Sequence, residues 1–215
     1  MCNHSIQTYY RDRKVDPTMK RSIAQVLFAA ATIFAAFPGL ASAHVGVGET
    51  SGFAAGFFHP LLGMDHVLAM LAVGLWAAQA GGRMTWAAPC TFVAVMIAGG
   101  ALGAAGAPLP FVEQGILASV LVLGLLISAA ARLPFAYSIA VVAFFALFHG
   151  HAHGTEMPLH ASGAAYSAGF ALATVLLHAA GIGVGAGLAK LDLVRLVRYA
   201  GGAITLLGVG LALAG

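Results

Sequence analysis

Two short stretches hold most of the side chains that can do chemistry. They are His59-Pro60-Leu61-Leu62-Gly63-Met64-Asp65-His66 and Phe148-His149-Gly150-His151-Ala152-His153-Gly154-Thr155-Glu156. In the second, His149 and His153 are four residues apart. On a helix their rings share one face, about 6 Å apart along the axis, which lets two imidazoles grip one ion. Glu156 follows three residues later, near the same face. His151 points elsewhere, and binds a second ion, serves an entry relay or has no specific role. In the first stretch His59 and His66 are seven apart, which on a straight helix places them about 10.5 Å apart. That is too far to chelate one ion directly. Pro60 suits the first turn of a helix with His59 at its cap, so the sequence predicts a break at 58–60 that swings His59 toward His66. Asp65, about 100° around the helix from His66, is either a direct ligand or the acceptor that fixes the tautomer of a ligating histidine. Met70, one turn beyond His66, offers a soft ligand or simply packs.

The candidate ligands are therefore His59, Asp65, His66, His149, His153 and Glu156, with His151 and His44 as further members. Imidazole and carboxylate without thiolate suit Ni(II), Co(II) and Zn(II) alike and argue against a closed structural zinc site. The bland alternative is a polar network that only ties helices together. Two histidine-rich clusters on separate segments are more than packing requires, and ionisable residues within apolar spans by default mark a functional path. His178, isolated in an apolar run, is expected to bond a backbone carbonyl, and His160 to lie in a loop.

The elements that must position these residues are apolar. Sixty per cent of the 215 residues are hydrophobic and 8% are charged, with a mean hydropathy of +0.93. A soluble domain carries about 25% charged residues, so this chain cannot coat a water-facing surface. Its apolar runs are long and continuous, without period-2 alternation. The expectation is an all-α polytopic membrane helix bundle, since helices satisfy their own backbone in lipid. Six spans are predicted after a cleavable signal peptide: 51–80, 84–105, 111–131, 134–155, 161–189 and 193–214. Gly99, Gly100 and Gly103, the run Gly181, Gly183, Gly185 and Gly187, and Gly201, Gly202 and Gly208 suit close helix approach. The net charge of +3 does not signal an acidic partner, because the basic residues sit at the ends of apolar runs, as topology signals do. With no basic patch and no stacking platform, nucleic acid is not a partner. Cys2 and Cys90 form neither a disulfide framework nor a Cys-x-x-Cys site.

Residues 1–18 form a polar extension ahead of a start at Met19. Residues 19–43 read as a signal peptide: Lys20 and Arg21, an apolar stretch from Ile23 to Phe37, the breaker Pro38-Gly39, and the A-x-A site Ala41-Ser42-Ala43. Cleavage there makes His44 the mature terminus, where amine and imidazole together can chelate a metal. Residues 44–215 form the membrane domain. With the mature N-terminus outside, six crossings place Arg83, Arg132, Lys190, Arg195 and Arg198 inside and Glu49, Glu113 and Glu156 outside. This is the positive-inside bias, and it puts both termini in the periplasm and both clusters in the outer half of a bacterial inner membrane.

The stretch from His59 to His66 resembles the H-P-x-x-G-x-D-H motif of the HupE/UreJ family of nickel/cobalt permeases. The stretch from Phe148 to Glu156 is similar to that family's F-H-G-x-A-x-G-x-E signature, with every fixed position present. The likeness covers the whole mature chain. It implies secondary uptake of Ni(II) or Co(II) as transported substrate, with no prosthetic group, no nucleotide and no enzymatic activity. The residues it implicates are His59, Asp65, His66, His149 and Glu156; His151 and His153 fall on variable positions and rest on spacing. The wider nickel/cobalt transporter group uses H-x4-D-H, whereas this chain has H-x5-D-H. The other readings are an intramembrane metal-dependent hydrolase, for which H-E-x-x-H and an evident nucleophile are lacking, and a membrane subunit that binds metal without moving it.

Overall fold

The computed structural model describes residues 52–214. The 1–18 extension, the 19–43 signal peptide and His44 lie outside the described residues. Seven helices follow one another: α1 (Gly52–Leu62), α2 (Met64–Ala80), α3 (Met84–Ala104), α4 (Val112–Ser128), α5 (Phe135–Thr155), α6 (Gly163–Lys190) and α7 (Val194–Ala214). The described residues contain no strand. Four helices, α3, α5, α6 and α7, are long and apolar enough to cross a membrane. The pair α1/α2 makes a fifth if counted as one bent span, and α4, with 17 residues, is a shorter apolar helix.

The connections explain the boundaries. Gly81 and Gly82 at φ 68° and 56° turn the chain from α2 into α3, a left-handed backbone that glycine adopts without steric cost. Pro134 precedes α5, and its fixed φ and missing N–H suit a helix start. The Ser162 side chain accepts from the Ala165 N–H and caps α6.

The predicted break in the first span is real, but it lies elsewhere. The chain bends by 82° between α1 and α2 at Gly63, which has φ −88° and ψ 113°, and not at 58–60. Pro60 sits within the last turn of α1 rather than opening a helix. There its missing N–H costs one bond near a helix end, and its ring leaves the extended step to Gly63. The Gly63 carbonyl then accepts from Val67 N–H at 3.0 Å and starts α2.

The helix α2 runs through the middle. Its Ala69, Met70, Ala72, Val73, Trp76 and Ala77 are fully buried. Around it α3 pairs with α5, α6 packs along α1 and α2, and α7 packs on α4. The α3–α5 seam is a backbone contact. A Cβ on Gly150 or Gly154 would collide with the carbonyls of Met96 or Gly100, and one on Gly99 would lie 2.6 Å from the Leu147 carbonyl oxygen. Of the glycine run on α6, only Gly181 and Gly185 face α2; Gly183 and Gly187 meet nothing, because residues two apart point to different sides of a helix. The outer surface carries large apolar side chains, including Trp86, Phe144, Leu206 and Leu213, all more than half exposed. Such a surface suits contact with lipid.

Candidate functional site

The bend at Gly63 and the N-terminal turn of α2 build the first half of the site. Asp65 lies in that turn, and its Oδ1 accepts from both the His66 backbone N–H at 2.7 Å and the His66 ring Nδ1 at 2.9 Å. A carboxylate accepting at Nδ1 leaves Nε2 with the lone pair. That Nε2 is buried and has no hydrogen-bond partner among the described residues. Of the two roles open to Asp65 in the sequence, the geometry is that of the tautomer-fixing acceptor. The bend also brings the His59 ring centroid to 6.2 Å from that of His66.

The second half comes from α5, where His149 and His153 are fully buried. They converge on His66 rather than forming a pair of their own: the His66 centroid lies 4.8 Å from His149 and 4.9 Å from His153. Two imidazoles on one ion, with metal–nitrogen bonds near 2.0–2.1 Å, hold their ring centres about 5 Å apart. Ser119 on α4 was not visible as a site residue in the sequence. Its hydroxyl donates to the Ile116 carbonyl at 2.6 Å and meets His149 Nε2 at 2.9 Å. With its proton committed, Ser119 accepts from Nε2–H, so His149 keeps its lone pair on Nδ1, an atom buried without a partner. His153 has neither ring nitrogen paired and is stacked on Phe170 at 4.8 Å.

At the edge of this cluster His59 Nε2 meets Glu156 Oε2 at 2.9 Å. The His59 and Glu156 side chains are 15% and 34% exposed, and the His59 ring lies 4.9 Å from that of His153. The His59–Glu156 pair is the more exposed end of the group, and His66, His149 and His153 are buried. His151 is not part of the group. Its Nε2 donates to the Ala107 carbonyl at 2.7 Å, tying α5 to the loop after α3. Among the described residues no three His, Cys, Asp or Glu side chains are set to hold an ion as they stand. The rings of His66, His149 and His153 are neighbours, with centroids about 5 Å apart across the pairs that involve His66.

His178 departs from expectation. It is 1% exposed, and neither ring nitrogen bonds a carbonyl or any other partner among the described residues. His160 is exposed in the turn before α6. Met70, fully buried, accepts a hydrogen bond from the Thr174 hydroxyl through its sulfur at 3.2 Å.

Apolar helices with a lipid-suited exterior, enclosing a buried histidine–carboxylate cluster, define a multi-pass membrane protein with a polar interior site. The HupE / UreJ protein family profile matches residues 31–211. The chain is 46% identical over 180 residues to Protein HupE of Rhizobium leguminosarum bv. viciae, covering 82% of this chain and 92% of that relative. No solved structure matches it. The chain belongs to the HupE/UreJ family.

Proposed function

We propose that the chain takes up a divalent transition-metal ion, Ni(II) or Co(II), across the bacterial inner membrane as a secondary carrier. The supporting observation is the convergence of His66, His149 and His153, each with a buried lone pair lacking a partner, inside an otherwise apolar bundle. An unsatisfied buried polar group costs about 1–3 kcal/mol, and here three occur together, so the cluster is built to meet a cation. The ion, captured first by His44 at the mature terminus, enters past His59 and Glu156 and is taken by His66, His149 and His153 with Asp65 fixing His66. His151, bonded to Ala107, stands outside the ligand set. The nickel/cobalt identity rests on the motif resemblance, since the ligand chemistry alone also accepts zinc.

In this reading α1/α2 is the first of six spans and the short α4 the third, the termini face the periplasm, and the partners are the metal ion and the bilayer. The membrane potential favours cation entry by about 2.3 kcal/mol per charge per 100 mV, so no nucleotide is required. Uptake of radioactive nickel into cells tests the proposal. The double variant His59→Ala/His66→Ala is expected to abolish uptake while still inserting in the membrane, and normal uptake by that variant overturns the assignment.

A further inference from the structure

One buried polar group beside the histidines belongs to neither motif. Tyr166, near the start of α6, is 1% exposed, and its hydroxyl is buried without a hydrogen-bond partner among the described residues. The ring is firmly placed. It meets the Phe170 ring edge-on at 5.7 Å, and Phe170 in turn stacks on His153 at 4.8 Å. The Tyr166 backbone carbonyl lies against Gly56 of α1, where a Cβ would collide with it. The two helices are therefore in backbone contact at this residue.

Tyr166 stands beside the more exposed end of the histidine group. Its ring centroid lies 6.2 Å from that of His59, and the Glu156 carboxylate is within electrostatic reach of the phenol. His59 is the common neighbour of both, since its Nε2 engages Glu156 Oε2 at 2.9 Å. As a packing residue Tyr166 is a poor choice. A hydroxyl buried without a partner loses its hydration with no return, and phenylalanine would fill the same space without that loss. The hydroxyl is a donor held in reserve for a second arrangement of its neighbours. Among them Glu156 is free to turn: it is the C-cap of α5, and its side chain is 34% exposed.

We propose that Tyr166 is a positioning residue for Glu156, donating its hydroxyl hydrogen to the Glu156 carboxylate when a divalent transition-metal cation displaces His59 from it. This rests on the reading of the chain as a metal carrier. A carboxylate that ligates a metal through one oxygen accepts an outer hydrogen bond at the other, and such a partner fixes the ligand's orientation. The exchange breaks the His59–Glu156 hydrogen bond and forms a Tyr166–Glu156 one. The phenol keeps its oxygen–hydrogen bond throughout and acts only as a donor. His59 and Glu156 are thereby both released toward the cation without leaving the carboxylate short of a donor.

Purified full-length protein in lipid nanodiscs, titrated calorimetrically with nickel, is the direct test. Tyr166→Phe is expected to lower nickel affinity about tenfold or more with unchanged helicity and melting temperature. In a Glu156→Ala background the same substitution is expected to cause no further loss, because the phenol then has no carboxylate to hold. The nickel-induced infrared difference spectrum of the wild type is expected to show a change in a phenol C–O band that Tyr166→Phe lacks, a signature that a purely structural role would not produce. Wild-type affinity in Tyr166→Phe, an equal loss on adding it to Glu156→Ala, or a wild-type spectrum without the phenol change overturns the role of Tyr166. Failure of the wild type to bind nickel would sink the carrier reading itself. That outcome is distinct from nickel binding that Tyr166→Phe leaves intact.

Discussion

Asp65 and Ser119 act on the site through other residues. Asp65 places the His66 proton on Nδ1, and Ser119 places the His149 proton on Nε2, so each leaves the lone pair on the opposite nitrogen. Replacing Asp65 by Asn keeps an acceptor oxygen but removes the charge that raises ring basicity. Nickel affinity of purified Asp65→Asn is expected to fall about 10–100-fold, measured by calorimetric titration, with the helix content of the wild type retained. Ser119→Ala leaves His149 free to change tautomer, and its effect on affinity is expected in the same direction but smaller. Equal affinity in Asp65→Asn and wild type would show that the carboxylate does not tune His66. The Asp65–His66 contact was legible from the motif. Ser119 was not, because a serine among Leu, Val and Ala carries no signal until its hydroxyl is seen against a histidine thirty residues later in the chain.

At the scale of the element, two backbone features position the site. Gly63 makes the bend, and a Cβ there would lie 2.9 Å from Asp65 Oδ1 and 3.1 Å from His66 Nδ1. Its φ suits any residue, so the constraint is space and not conformation. Gly63→Val is expected to push the Asp65–His66 pair aside and lower nickel uptake several-fold at normal membrane abundance, a combination read by immunoblot beside the uptake assay. Gly150 lets α5 lie against the Met96 carbonyl of α3. Gly150→Val must spread that seam, and overpacking of this kind costs about 1–3 kcal/mol. A lower melting temperature in detergent is the expected result, and an unchanged one would mean that the helices separate without cost. The helix limits were readable from hydropathy to within a few residues, as in 84–105 against Met84–Ala104. The bend was readable in kind but displaced, because proline was weighed as a helix opener whereas near the end of a helix it is tolerated and the following glycine takes the turn.

For the whole molecule, the arrangement of charge predicts the orientation. His160 lies at the end that carries His59 and Glu156, and Lys190 closes α6 at the other end. In a variant with Cys90 replaced by Ala, a cysteine at position 160 is expected to react with a membrane-impermeant maleimide added to intact spheroplasts. A cysteine at position 190 is expected to react only after permeabilisation. The reverse pattern would invert the topology and turn the histidine mouth toward the cytoplasm.

Composition and spacing alone determined that the chain is helical, that its helices suit lipid, and which histidines and carboxylates are the candidates for the chemistry. These follow from local quantities, hydropathy summed along a segment and the 3.6-residue period. Only the tertiary structure decided that His149 and His153 meet through His66, that His151 turns away to Ala107, and that His178 is buried without a partner among the described residues, one aromatic ring from His149. Each of these depends on which faces of separate helices are pressed together, and that is set by glycine contacts and the bend at Gly63, distances across the chain that no local pattern encodes.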